Sequence, residues 1–136
     1  MQGGDGTPAN EILSALDRSF IASAEAYPRT ATAATPLFVN GDSVLGEITT
    51  TGEEDLYTLE VATAGRHVIE TDGHTDVVVK LFGPGSNTAL IAEDDDGGVG
   101  LNSRIVEELV PGDYFVEVRH YNRAAGTGQY RITARR

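Results

Sequence analysis

From residue 37 onward the chain alternates short apolar runs with polar turns. The runs are rich in Val, Ile, Thr and Tyr, and Gly, Asn or Asp separates them about every ten residues, which is typical of short β-strands. We predict a short strand at 37–39 and longer strands near 43–49, 55–62, 66–72, 76–82, 88–93, 103–110, 113–120 and 128–134.

Alternation within two of these runs predicts which side chains are buried. In DLYTLEV (55–61) the apolar face carries Tyr57, Leu59 and Val61, and in DYFVEVRHY (113–121) it carries Tyr114, Val116 and Val118. The opposite face of the second run carries Phe115, Glu117, Arg119 and Tyr121. Many short strands with one solvent-facing side predict an all-β fold, a jelly-roll-like antiparallel β-sandwich of about eight strands.

The N-terminal part has a different pattern. Residues 7–26 have helical apolar spacing, with Thr7 as a capping residue and Pro8 in the first turn. Residues 27–36, YPRTATAATP, have the composition of a linker. We therefore expect an N-terminal helix and linker at 1–36 and a β-sandwich domain at 37–136. The helix is either docked on the domain or the remnant of a linker from a preceding domain.

The composition restricts the possible partners. The net charge of −11 argues against nucleic acid and anionic membranes, because both favour Lys and Arg. No apolar run approaches the roughly 20 residues of a membrane span. The chain has no cysteine, so it has neither disulfides nor a thiol nucleophile. Such an acidic surface fits a secreted protein or one that binds cations.

The opening residues, MQGGDGTPAN, lack the basic and apolar regions of a signal peptide. We expect a secreted or cell-surface protein whose leader and further domains lie outside this sequence.

The acidic bend AEDDDGGVGLNSRI (92–105) is the strongest candidate site. If 76–82 and 88–93 pair as a hairpin, Asp76 lies beside Asp94, Asp95 and Asp96. Calcium fits such a group because it accepts carboxylate, carbonyl and amide oxygens in loose geometry. Glycines in the bend would turn carbonyls inward, and Asn102 or Ser103 would add an oxygen. We predict calcium bound by Asp76, Asp94, Asp95, Asp96 and Asn102; a solvated acidic turn is the alternative.

A second acidic cluster, Glu53 to Asp55, would supply another cation site or form a polar turn. We favour the turn, with a carboxylate at the strand start that accepts hydrogen bonds from backbone N–H groups.

Catalysis is not expected of this chain. No serine lies in a G-x-S-x-G turn, and the histidines, His67, His74 and His120, fall in strands or a loop without a nucleophile pattern. The outward residues Phe115, Arg119 and Tyr121 would form a binding strip, since aromatics and Arg are enriched at binding hot spots. Alternatively, the two aromatics are covered by the N-terminal helix or a second sheet.

From Asn40 to Thr133 the chain resembles the bacterial pre-peptidase C-terminal domain, a β-sandwich appended to secreted peptidases and related in fold to the collagen-binding modules of clostridial collagenases. The resemblance rests on a G-x-I strand, an acid before Y-x-L, a T-D-x-x-x-x-L strand, an acidic glycine loop ending N-S-R-I, L-x-x-G-x-Y-x-V-x-V and a closing G-x-Y-x-I. The segments that carry it are NGDSVLGEITTTGEEDLYTLEV (40–61), TDVVVKLFGPGSN (75–87), AEDDDGGVGLNSRIVEELVPGDYFVEVRHY (92–121) and GTGQYRITA (126–134).

This resemblance implies a non-catalytic accessory domain for secretion, maturation or substrate attachment. Its partners would be a parent peptidase or other catalytic domain and an extracellular protein or polysaccharide. Some relatives bind calcium at acidic loops, which agrees with a calcium site at Asp76 and the Asp94–Asp96 loop. Because the linker 27–36 has no acid, the calcium-bound linker and collagen affinity of collagenase modules are not implied. The alternative function is a carbohydrate- or protein-binding adhesion module that uses Phe115, Arg119 and Tyr121.

Overall fold

The computed structural model of the protein describes residues 34–136. These residues form nine strands and no helix. The strands are β1 (Thr35–Leu37), β2 (Val44–Ile48), β3 (Glu54–Val61), β4 (Gly65–Asp72), β5 (Val77–Phe82), β6 (Leu90–Asp94), β7 (Arg104–Leu109), β8 (Gly112–His120) and β9 (Gly128–Arg135). Each predicted strand is present, within a few residues of its expected ends. The predicted helix at 7–26 lies outside the described residues.

The strands form two sheets, as the predicted β-sandwich requires. The four-stranded sheet has the order β2-β9-β4-β7, and the five-stranded sheet has the order β1-β3-β8-β5-β6. Neighbouring strands are antiparallel except β1, which pairs with β3 in parallel. The described part of the chain contains no helix that is long and apolar enough to cross a membrane.

Inward side chains of both sheets form one hydrophobic core. The predicted inward sets of β3 and β8 are confirmed, since Tyr57, Leu59 and Val61 and their counterparts Tyr114, Val116 and Val118 are all buried. β-Branched and aromatic residues suit these positions because they pack well on a pleated surface.

One outward position of β8 differs from the expectation. Glu117 was expected on the solvent-facing side, but it is only 4% exposed. It occupies the middle of an interior strand, between Leu56 of β3 and Lys80 of β5. Alternation therefore predicted the direction of the side chain correctly and its exposure wrongly.

The segment that follows β1 lies beside the end of β9. Val39 forms a parallel bridge with Ala134, and the Asn40 N–H donates to the carbonyl of Ala134 at 2.8 Å. Asn40 has a positive φ of 61°, a conformation that Asn tolerates better than most residues. Its Oδ1 accepts the N–H of Arg136 at 3.0 Å.

Candidate functional site

The β5–β6 hairpin brings the predicted calcium ligands to one end of the five-stranded sheet. Its antiparallel register pairs Val79 with Asp94, so the start of β5 lies beside the end of β6. Asp76 directly precedes β5, and its carboxyl is close enough to that of Asp95 to share a hydrogen bond when one of them is protonated. The predicted meeting of Asp76 with the acidic bend is therefore present.

The three adjacent aspartates of the bend have different surroundings. Asp94 Oδ2 accepts the N–H groups of Gly97 at 2.7 Å and Arg104 at 2.8 Å, so this carboxylate closes the loop on itself. Asp95 is half-buried, whereas Asp96 is exposed. Burial raises the pKa of Asp95, and the charges of Asp76 and Asp96 raise it further.

Asn102 and Ser103 fix the other side of the bend. Asn102 is 6% exposed, and its Nδ2 donates to the carbonyls of Val99 at 2.9 Å and Gly73 at 3.2 Å. Ser103 Oγ lies 2.6 Å from the Val77 carbonyl and 2.7 Å from that of Asp95. The serine hydroxyl is thus already used in hydrogen bonds to carbonyls. Of the two residues, Asn102 is the one whose side-chain oxygen is available to a cation.

Three side-chain oxygens at this bend are buried without a hydrogen-bond donor: Oδ1 of Asp76, of Asp95 and of Asn102. Only five buried side-chain polar atoms in residues 34–136 lack a partner, and these three all belong to the predicted ligand set. Buried acceptors without a donor are costly, so such a group is suited to a cation or an ordered water. Asp94 and Asp96 do not share this property.

Within the same residues, no three His, Asp or Glu side chains lie close enough together to form a metal site by themselves. A cation at the bend would therefore need amide, carbonyl or water oxygens beside the carboxylates. Calcium accepts such a mixed oxygen shell, whereas transition metals prefer nitrogen or sulfur ligands.

The predicted binding strip is not one continuous surface. Phe115 and Arg119 are half-buried on the outer face of β8, about 13 Å apart along the strand, and the buried Glu117 lies between them. Tyr121 follows the strand and is 58% exposed. Arg119 Nη1 donates to the His120 carbonyl at 3.0 Å, and its Nε is buried without an acceptor.

The histidines occupy separate positions. His67 is buried, with Nδ1 2.7 Å from the Gly65 carbonyl. His120 Nδ1 accepts the N–H of Asn122 at 2.9 Å, and His74 is exposed.

A second polar cluster joins the acidic segment 53–55 to two tyrosines and connects the two sheets, a connection that the sequence did not predict. The hydroxyl oxygens of Tyr57 and Tyr130 are 2.6 Å apart, and Tyr130 donates to Asp55 Oδ2, also at 2.6 Å. Asp55 and Tyr57 belong to β3, whereas Tyr130 belongs to β9. Both tyrosines are buried, so this chain of hydrogen bonds passes through the core.

Gly46 of β2 makes room for the two hydroxyls. A Cβ at this position would overlap the ring of Tyr130 and the hydroxyl of Tyr57. An isolated glycine inside a strand is the signal for such a close approach. The sequence carries that signal in VLGEI (44–48), but nothing in it identifies the group that comes close.

Glu53 completes the cluster from the turn between β2 and β3. Its Oε1 accepts the N–H of Thr49 at 2.9 Å, the Thr49 hydroxyl at 2.8 Å and the N–H of Thr50 at 3.3 Å. The polar-turn interpretation of this acidic segment is therefore confirmed for its backbone contacts. Glu53 and Asp55 are also close enough to share a hydrogen bond when Asp55 is protonated.

The two carboxyls of the cluster have opposite pKa shifts. Burial raises the pKa of Asp55 to about 7, and the neighbouring Glu53 contributes to the rise. A hydrogen bond from Asp55 lowers the pKa of Glu53 to about 2, with help from the Thr49 and Thr50 donors and against the effect of burial. Burial also raises the pKa of Tyr130, so its phenol keeps its proton.

Comparison with known proteins gives one family and a set of solved structures that includes the two named below. The family model of the bacterial pre-peptidase C-terminal domain matches residues 53–120, half of the chain. The pre-peptidase C-terminal domain of collagenase from Bacillus anthracis is 19% identical with a TM-score of 0.63, and the match covers 75% of this chain and 94% of that one. PliG from Aeromonas hydrophila, described as a periplasmic inhibitor of g-type lysozyme, is 20% identical with a TM-score of 0.51, over 75% of this chain and 99% of that one.

At these identities the two structures show a shared fold. No curated protein sequence matches the chain. The family match runs from Glu53 to the end of β8 and so includes Asp55, Tyr57 and the whole acidic bend.

Proposed function

The chain belongs to the bacterial pre-peptidase C-terminal domain family, and we propose that it is a non-catalytic accessory domain of a secreted or cell-surface bacterial peptidase. Its role is to aid secretion, maturation or substrate attachment of the parent enzyme. The family match carries this proposal. The fold shared with the collagenase domain and with PliG, a lysozyme inhibitor, supports a protein as the partner.

Deletion of residues 34–136 from the full-length protein that carries them tests this function. We expect lower secreted yield or weaker retention on the enzyme's insoluble substrate, with hydrolysis of a small soluble peptide unchanged. Hydrolysis by the isolated chain, or loss of soluble-peptide turnover on deletion, would contradict the proposal. The double variant Phe115→Ala with Tyr121→Ala distinguishes the adhesion module from the accessory domain. If the domain is an adhesion module, this variant should lose retention on the substrate while its melting temperature stays unchanged.

Calcium is the second part of the proposal, and the unpaired oxygens at the acidic bend support it. Asp76, Asp95 and Asn102 each have a buried Oδ1 without a donor, and oxygens of this mixed kind suit calcium. The two carboxylates repel each other when both are ionised, and a divalent cation between them would remove that repulsion. Bound calcium would thus hold the end of the hairpin against the loop before β7.

We predict that calcium raises the melting temperature and that a chelator lowers it. A ligand that binds only the folded state stabilises it by about 2.7 kcal/mol at a concentration one hundred times its dissociation constant. Asp95→Asn and Asp76→Asn should remove most of this response. Asp94→Ala is less informative, because Asp94 also holds the loop through Gly97 and Arg104.

Calorimetry with calcium, and with magnesium at equal concentration, provides the measurement. Asp42→Asn is the matched control, since Asp42 is exposed in the loop between β1 and β2 and the charge change is the same. An equal response to the two ions, or an unchanged calcium response in Asp95→Asn, would contradict a calcium site at the bend.

A further inference from the structure

In the cluster of Glu53, Asp55, Tyr57 and Tyr130, two carboxyl groups lie close together and the neighbouring hydrogen-bond donors are all used elsewhere. The Tyr130 hydroxyl donates to Asp55 Oδ2, and both Thr49 donors and the Thr50 N–H point to Glu53 Oε1. These contacts provide no donor between the two carboxyl groups themselves. Two carboxylates accept hydrogen bonds but donate none, so they attract each other only when one holds a proton.

We propose that Asp55 and Glu53 share one proton that ties the β2–β3 turn to the core, and that losing this proton toward alkaline solution loosens this corner of the domain. The proton resides on Asp55, the more buried carboxyl, and Glu53 stays ionised because its three donors favour the charged form. The pKa values of about 7 for Asp55 and about 2 for Glu53 agree with this assignment.

Among residues 34–136, no positive charge faces Asp55 that would replace the proton. Glu53 faces it from the turn, Tyr130 from β9, and Tyr57 reaches it through Tyr130. Strand β8 presents Val118 opposite Asp55 in the register, and β2 presents Gly46, which has no side chain. Glu54 and Arg123, paired at 3.0 Å, lie on the other side of the strand, because successive side chains alternate.

The direction of the pH effect follows from the raised pKa of Asp55. In the unfolded chain Asp55 loses its proton near its ordinary pKa of 3.8, whereas in the folded domain it keeps the proton to about 7. Its contribution to stability is therefore complete below the unfolded value and disappears as pH rises through the folded value. Glu53 acts in the opposite direction, and only in more acidic solution, because its pKa is lowered.

Unfolding by urea between about pH 5 and about pH 8 tests the shared proton. Relative to Asp55→Asn, the wild-type unfolding equilibrium constant should rise by up to about tenfold per pH unit until Asp55 ionises, and then level off. The Asn side chain keeps a donor toward Glu53 and an acceptor for Tyr130 at every pH, so this variant should lack the rise. Equal pH dependence of the two proteins would overturn the proposal.

A control is needed because Asp95 also has a raised pKa and would add a pH effect of the same sign. Asp95→Asn should retain the part of the pH dependence of unfolding that Asp55→Asn removes. The experiments are done with a chelator present so that metal release does not contribute. If Asp95→Asn instead abolishes the whole effect, the Asp55–Glu53 proton is not its source.

NMR titration of the wild-type carboxyl carbons gives a test without mutation. The Asp55 signal should move near neutral pH, together with the amide signals of Thr49 and Thr50. A midpoint for Asp55 below about pH 5, close to its ordinary value, would overturn the proposal whatever the variants do.

Discussion

At the scale of single residues, Gly46, Asp55, Tyr57 and Tyr130 show how separate short signals converge in space. Each belongs to a local feature of the sequence: a glycine in a strand, an acid at a strand start, a tyrosine on the apolar face of β3 and a tyrosine in the closing strand. The same residues belong to the G-x-I, acid-before-Y-x-L and G-x-Y-x-I elements of the family pattern. Sequence alone could not place them together, because they come from β2, β3 and β9 in two different sheets.

Replacing Gly46 by alanine tests this convergence. The added methyl would overlap the Tyr130 ring and the Tyr57 hydroxyl, so we expect a loss of about 1–3 kcal/mol in unfolding free energy from overpacking. Glu47→Ala, at an exposed position of the same strand, is the matched control and should change stability little. Urea unfolding measures both; equal stability of the two variants would mean that the tyrosines move aside freely.

At the scale of elements, the strands could be predicted because alternating apolar positions and turn residues mark them directly. The hairpin of β5 and β6 followed from chain order, and so did the approach of Asp76 to the acidic bend. The first strand is less regular: we expected 37–39, and it spans Thr35–Leu37. Its parallel pairing with β3 depends on a distant strand, so the local pattern contains no sign of it.

Ser103 connects elements of both sheets, and its replacement by alanine is an element-scale test. Its N–H donates to Thr71 Oγ1 at 2.9 Å on β4, and its hydroxyl contacts carbonyls at the start of β5 and the end of β6. Loss of the hydroxyl leaves these buried carbonyls short of a donor, which should cost about 1–3 kcal/mol. The exposed Ser43, changed to alanine, should have no measurable effect on thermal unfolding. A neutral Ser103→Ala would indicate that water replaces the hydroxyl.

At the scale of the whole molecule, the features to compare with the sequence are the net charge of −11 and the two-sheet architecture. Composition predicted an acidic surface, and the strand pattern predicted a β-sandwich. It did not predict the burial of Glu117, because exposure depends on neighbouring strands that the sequence does not order. The roles of the individual aspartates likewise depend on the loop's backbone N–H groups, which only the folded structure positions.

Mutual repulsion among so many carboxylates predicts that potassium chloride stabilises the domain even with a chelator present. Salt screens charges over a Debye length of about 10 Å at 0.1 M. A gain of about 1 kcal/mol would raise the melting temperature by about 4 °C. The same titration in acid, where the carboxylates are protonated, should show a much smaller effect. A melting temperature that does not change with salt concentration at neutral pH would contradict this expectation.

The bridge from Val39 to Ala134, with Asn40 bonded to both Ala134 and Arg136, fastens the segment after β1 to the end of β9. Tension that pulls Asn40 away from Arg136 would fall first on these few bonds, and the core would bear load only after they part.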